Sequence, residues 1–103
     1  MQSINDLTNK VILITGASDG IGKATAIECA KRGATVIIHG KTTPKLTLLY
    51  DEITNAGYTE PVIYPLDFEK MTPADCATLN DVIHKEFGKL DVLFNNAGWL
   101  GAS

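Results

Sequence analysis

A chain of 103 residues with 45% apolar and 20% charged residues and a formal net charge of −3 is long enough for one core and short for two. The composition excludes a disordered polar segment, and the acidic balance without any basic run excludes a protein that grips a nucleic-acid backbone. Met1 to Asn9 lacks the apolar centre of a signal peptide, and no later stretch reaches the roughly 18 apolar residues of a membrane span. A soluble, cytoplasmic protein without nucleic-acid or membrane partners is therefore expected.

In chain order, Lys10 to Thr15 reads as a first strand. Gly20 to Arg32 reads as a first helix, with Ile21, Ala24, Ile27 and Ala30 as its apolar stripe and Gly33 as its stop. Ala34 to His39 is the second strand. Thr43 and Pro44 supply an N-cap and a first-turn proline for a helix whose face is Leu46, Leu49 and Ile53 and which Gly57 ends. Glu60 to Leu66 is a third strand, and Pro61 and Pro65 within it suit an edge position. Thr72-Pro73-Ala74-Asp75 repeats the capping logic for a third helix with Leu79, Val82, Ile83 and Phe87 on one face and Gly88 at its end. Leu90 to Phe94 is the fourth strand.

Alternating buried strands and amphipathic helices with short loops define an α/β fold with a parallel, doubly wound sheet. Right-handed crossovers give it the order 3-2-1-4 within a single unit spanning residues 1–103. That order puts Leu90 to Phe94 at a rim with an unpaired outer edge, although its continuous apolar character reads as covered on both faces. The isolated chain is therefore expected to be marginal, or to associate through that edge, and further chain is expected after Ser103. Cys29 and Cys76 fall in helices without C-x-x-C spacing and read as buried reduced thiols. His39 and His84 have no metal-ligand spacing and read as non-ligands.

The chemistry concentrates in two motifs. In Val11-Ile12-Leu13-Ile14-Thr15-Gly16-Ala17-Ser18-Asp19-Gly20-Ile21-Gly22, an apolar strand feeds a glycine turn that opens into a helix. The unpartnered N–H groups and positive dipole end of such a helix hold a phosphate without a basic side chain. Gly16 permits the tight reversal, Gly20 a close approach of backbone and pyrophosphate, and Gly22 close packing of the helix on the sheet. The Gly-x-x-x-Gly-x-Gly spacing differs from the G-x-G-x-x-G fingerprint, and alone it also fits three glycines serving an ordinary tight turn. The second motif is Asn95-Asn96-Ala97-Gly98, which follows the fourth strand directly.

With both motifs in this order, the chain from Lys10 to Gly98 resembles the short-chain dehydrogenase/reductase family. The resemblance implies a Rossmann-like fold truncated after its fourth strand. It also implies a complete protein well over twice this length, in which a catalytic Ser and a Tyr-x-x-x-Lys pair lie beyond the Asn-Asn-Ala-Gly motif. Here Tyr50, Tyr58 and Tyr64 are followed four positions on by Thr54, Val62 and Phe68, so no catalytic residue is assigned. Lysine would be needed to tune a phenol whose ordinary pKa is about 10. The expectation is a cofactor-binding half of an oxidoreductase, inactive alone, which in its complete form transfers a hydride between nicotinamide and a small carbonyl or alcohol. A short nucleotide-binding sensor or interaction module is the alternative. For the complete protein the resemblance implies a homo-oligomer.

Within that frame Gly16, Ser18, Asp19, Gly20, Ile21 and Gly22 form the pyrophosphate turn. The end of the second strand, His39-Gly40-Lys41-Thr42-Thr43, carries no carboxylate to accept from the adenosine ribose. Lys41 would attract a 2′-phosphate and Thr42 could donate to it, so NADP is favoured over NAD. Asp19 in the glycine turn pulls the other way, and lysine lacks arginine's bidentate fork. Asp67 and Phe68 resemble the residues that meet the adenine amino group and ring edge. Asn95, Ala97 and Gly98 resemble the segment beside the cofactor ribose, Asn95 being the more structural, while Asn96 reads equally as a turn residue. Trp99 could face a substrate cleft or stand as an exposed loop aromatic.

Overall fold

Val11–Thr15 (β1) is five consecutive apolar or β-branched residues, and every one of them is buried. A strand buried on both faces belongs in the middle of a parallel sheet, and β1 occupies that place in the computed structural model of the chain. The structure describes residues 6–17, 20–40, 43–64 and 73–95, with the backbone alone for Cys76 and Asn95. The remaining elements are Gly20–Lys31 (α1), Thr35–His39 (β2), Thr43–Asn55 (α2), Val62–Tyr64 (β3), Pro73–Phe87 (α3) and Val92–Asn95 (β4). The sheet order is β3-β2-β1-β4, all strands parallel, as the crossover rule requires.

Alternation along β1 and β2 splits the core into two layers. Ile12, Ile14, Val36 and Ile38 meet Ala26 and Ala30 of α1 and Leu46, Leu49 and Ile53 of α2. Val11, Leu13 and Ile37 point the other way, onto Leu79 and Ile83 of α3. The predicted stripe of α2 is buried throughout. That of α1 is not: the buried residues are Gly22, Ala26 and Ala30, while Ile21 is 70% exposed and Ala24 is exposed. A stripe of small residues four apart lets α1 lie close on the sheet. Ile21, in the first turn, projects past the layer it would otherwise fill.

The first two helices stop as the sequence predicts. Gly33 N–H donates to the Ala30 carbonyl and Ala34 N–H to Cys29 O, and the same pattern recurs as Gly57 to Thr54 and Tyr58 to Ile53, both Schellman closures. Asp75 in the first turn of α3 and His84 and Lys85 in its last turn complement the helix dipole.

β3 begins at Val62, two residues later than expected, since Pro61 has no N–H to extend the ladder, and among the described residues it pairs with β2 alone; Pro65 and Leu66 lie outside the described residues. β4 runs one or two residues later than expected and lies at the rim. Val92, in register with Ile12, is 47% exposed on one face, and Leu93, in register with Leu13, is 40% exposed on the other. Cys29 is half-buried and free, and its surroundings push the thiol pKa up through desolvation. Cys76 lies in α3, and its side chain is outside the described residues.

Candidate functional site

The carboxyl ends of the parallel strands form one crest, and at its centre the chain turns from β1 into α1. Thr15, the last residue of β1, is fully buried, and its Oγ1 lies 3.5 Å from the Phe94 carbonyl of β4, long for a hydrogen bond. Gly16 follows with φ +62°. Ala17 is fully buried, and its N–H donates to the carbonyl of His39 at 2.8 Å. The turn is thereby fastened on one side to the end of β2 while β1 pairs on the other with β4.

α1 then opens on Gly20 at φ +59°, where, among the described residues, an added Cβ would meet nothing within 4 Å beyond its chain neighbours and its own helix. Glycine is required there by backbone conformation, because the left-handed region costs an L side chain roughly 1–2 kcal/mol, and not by packing against the protein. The space beside it is open, as close approach of a ligand to the backbone demands. Gly22, two residues further in, is buried.

β1 sits between β2 and β4, so the chain reverses its direction of travel across the sheet at β1. Ligands of open α/β sheets bind in the crevice at such a switch point. Register places Asn95, the last residue of β4, directly opposite Thr15, next to the glycine turn. Four of the proposed contacts, Gly16, Gly20, Ile21 and Gly22, thus stand together at the crest, and Asn95 joins them through its backbone. Ser18, Asp19, Lys41, Thr42, Asp67, Phe68, Ala97 and Gly98 lie outside the described residues, as do Asn96 and Trp99.

Sequence reasoning passed over three groups that hold this arrangement. Ala17 and His39, the latter 2% exposed, join the turn to β2 through backbone atoms, which leave no trace in residue type. The third is Asp91, at the opposite end of β4. Its carboxylate accepts from Val11 N–H at 2.8 Å and from Lys89 Nζ at 3.1 Å, while its own N–H donates to Val11 O at 2.9 Å. The Val11 N–H, with Lys89 adding to it, holds this carboxyl below the ordinary aspartate range. A single carboxylate interrupting the apolar run Leu90 to Phe94 was the available signal.

A glycine turn between a buried central strand and a helix, at the switch point of a parallel sheet, defines a Rossmann-like α/β fold. The profile of the short chain dehydrogenase family matches residues 10–103, and the chain belongs to that family, whose members bind NAD or NADP. The uncharacterised oxidoreductase YciK of Escherichia coli K12 is 38% identical over 95 residues, covering 92% of this chain and 38% of the relative. The 11-beta-hydroxysteroid dehydrogenase A of Sesamum indicum is 37% identical over 98 residues, covering 95% and 28%. Among solved structures, a short chain dehydrogenase from Salmonella enterica serovar Typhi superposes with a TM-score of 0.82 at 36% identity, over 93% of this chain and 40% of the other. A protein of Escherichia coli CFT073, solved as a short chain dehydrogenase complexed with NADPH, superposes with a TM-score of 0.79 at 39% identity, over 90% and 40%. The chain thus spans about two-fifths or less of the length of these relatives. Among the described residues no helix is long and apolar enough to cross a membrane.

Proposed function

We propose that this chain is the cofactor-binding part of an NADP-dependent oxidoreductase acting on a small carbonyl or alcohol. The observation that carries the reading is the crest turn, with positive φ at both Gly16 and Gly20 and open space at Gly20, set at the sheet's switch point. When bound, the nicotinamide supplies the hydride chemistry. The chain's own part is to bind and orient. Backbone N–H groups at the start of α1, from Gly20 to Gly22, with Ser18, take the pyrophosphate, and the positive end of α1 faces that charge. The exposed Ile21 gives the cofactor an apolar surface to cover.

Lys41 and Thr42 follow β2 and are assigned to the 2′-phosphate; Asp67 and Phe68 follow β3 and are assigned to adenine. Asn95, Ala97 and Gly98 are assigned to the nicotinamide-side ribose. The lack of a carboxylate after β2 and the NADPH bound in a relative 39% identical support NADP over NAD. The 103-residue chain, with no Tyr-x-x-x-Lys, is assigned no turnover of its own.

The test titrates NADPH and NADH into the full-length protein by fluorescence and follows cofactor oxidation over a panel of ketones and aldehydes. Tighter binding of NADPH together with turnover is expected, whereas turnover by the purified 103-residue chain would refute its assignment. Binding without turnover on any substrate would favour a sensor module, and binding of neither cofactor would overturn the reading.

A further inference from the structure

We infer that the His39 imidazole is a positioning residue for the adenosine half of the cofactor, holding the segment that leaves β2 against the one that leaves β3. The inference rests on the proposed nucleotide site. His39 is the last residue of β2 and is 2% exposed. Alternation along the strand fixes its side. Val36 and Ile38 pack in the layer of α1 and α2 and Ile37 in the layer of α3, so His39, two residues after Ile37, stands on the α3 face of the sheet.

Among the described residues, two polar neighbours share that face at that level. Tyr64, the last residue of β3, is in register with His39 and packs, half-buried, against the α3 layer. Thr15, one position past the Ile14–Ile38 pair, stands beside it on β1 and is fully buried. Tyr64, His39 and Thr15 thus form a polar row across the carboxyl ends of three strands. The row begins one step beyond the apolar residues Val11, Leu13 and Ile37 that meet Leu79 and Ile83. Packing alone does not call for it: Val36, Ile37 and Ile38, just before His39, are aliphatic and equally buried, whereas taking an imidazole out of water carries a desolvation cost that an aliphatic side chain does not.

The position of His39 in the chain supplies the reason. Lys41 and Thr42, assigned to the 2′-phosphate, follow His39 by two and three residues, and Asp67 and Phe68, assigned to adenine, follow Tyr64 by three and four. The imidazole stands where both segments depart, with two ring nitrogens able to donate or accept toward them. Its backbone has a separate task, since the His39 carbonyl accepts from Ala17 N–H at 2.8 Å. Changing the side chain leaves that tie to the glycine turn in place, so the loss falls on the adenosine half.

The experiment measures binding of NADPH and of adenosine 2′,5′-bisphosphate, which carries only the adenosine half, to full-length wild type, His39→Leu and His39→Gln. Leu46→Ala, whose cavity opens in the other layer, is the comparison, and urea denaturation fixes the concentration of folded protein for each. His39→Leu, close to histidine in volume and without polar atoms, is expected to weaken both ligands by the same factor, about three- to tenfold, the net contribution of about one hydrogen bond. His39→Gln, which restores a side-chain donor and acceptor, recovers most of the loss, and Leu46→Ala, although less stable, leaves both affinities within about twofold of wild type. Should His39→Leu not fold, His39→Ala takes its place against the same rescue. Unchanged affinity in His39→Leu, a loss for NADPH alone, no recovery in His39→Gln, or an equal loss in Leu46→Ala would each overturn the inference. Failure of the wild type to bind either ligand would instead remove the nucleotide site on which it rests.

Discussion

Gly20 separates what the glycine turn does for the fold from what it does for a ligand. At φ +59°, with nothing among the described residues within 4 Å of a built Cβ beyond chain neighbours and its own helix, replacement by alanine meets a backbone cost of roughly 1–2 kcal/mol and no clash with them. Gly20→Asn carries less of that cost, since asparagine visits the left-handed region more readily. Gly20→Val adds a branched side chain in the open space where the pyrophosphate is assigned. Losing one or two charge-assisted hydrogen bonds to phosphate, at about 1.5–3 kcal/mol each, gives at least a tenfold to 150-fold weaker Kd. Urea denaturation of the cofactor-free full-length protein reads the first effect, and NADPH fluorescence titration at a concentration of folded protein fixed by that curve reads the second. The reasoning predicts that Gly20→Asn and Gly20→Val lose affinity well beyond their loss of stability. Unchanged NADPH affinity in Gly20→Val would refute it.

Lys41→Ala should weaken NADP by several-fold to about tenfold and spare NAD, with the difference shrinking as salt rises, because an exposed ion pair is screened; equal losses for both cofactors would point to a packing role. Leu46, fully buried on α2, and Leu48, 68% exposed on the same helix, make a matched pair. Leu46→Ala should cost about 2–5 kcal/mol in urea denaturation and Leu48→Ala less than about 0.5 kcal/mol. The Asp91 carboxyl titrates lower in the folded chain than unfolded, through Val11 N–H first and Lys89 after it. Its stabilisation is therefore complete above the ordinary aspartate pKa and is lost as pH falls through the folded value. The stability gap between wild type and Asp91→Ala should be widest at neutral pH and narrow in acid, and a gap that widens on acidification would reverse the assignment.

The order and parallel pairing of the sheet were legible because each element announces itself locally. β1 and β2 are unbroken apolar runs, Thr43-Pro44 and Pro73 with Asp75 open helices, and glycines close them. The turn at Gly16 and Gly20 was legible for the same reason, since a positive φ selects glycine and glycine is visible in a sequence. The stripe of α1 was half right, with Ala30 buried and Ile27 packed against the core, and wrong at Ile21 and Ala24, which are exposed. The helix buries Gly22, Ala26 and Ala30, where close approach to the sheet leaves room for little else, and leaves Ile21 bare at the crest. β3 begins late, at Val62, because Pro61 removes a ladder donor, an effect read as an edge signal and not carried into the strand's start. Bonds made by backbone atoms, such as Ala17 N–H to His39 O, and a side chain that replaces one, such as Asp91 on Val11, depend on which strands become neighbours. Nothing local in the sequence states that.

The central claim is that the turn from Gly16 to Gly22 holds a dinucleotide pyrophosphate by its backbone. A crystal structure of the full-length protein grown with NADPH tests it directly. The account predicts pyrophosphate oxygens within hydrogen-bond distance, about 2.7–3.2 Å, of N–H groups in this turn, with the 2′-phosphate near Lys41 and the nicotinamide on the β4 side of β1. A cofactor bound elsewhere, or one whose pyrophosphate is held by side chains away from the start of α1, would contradict it.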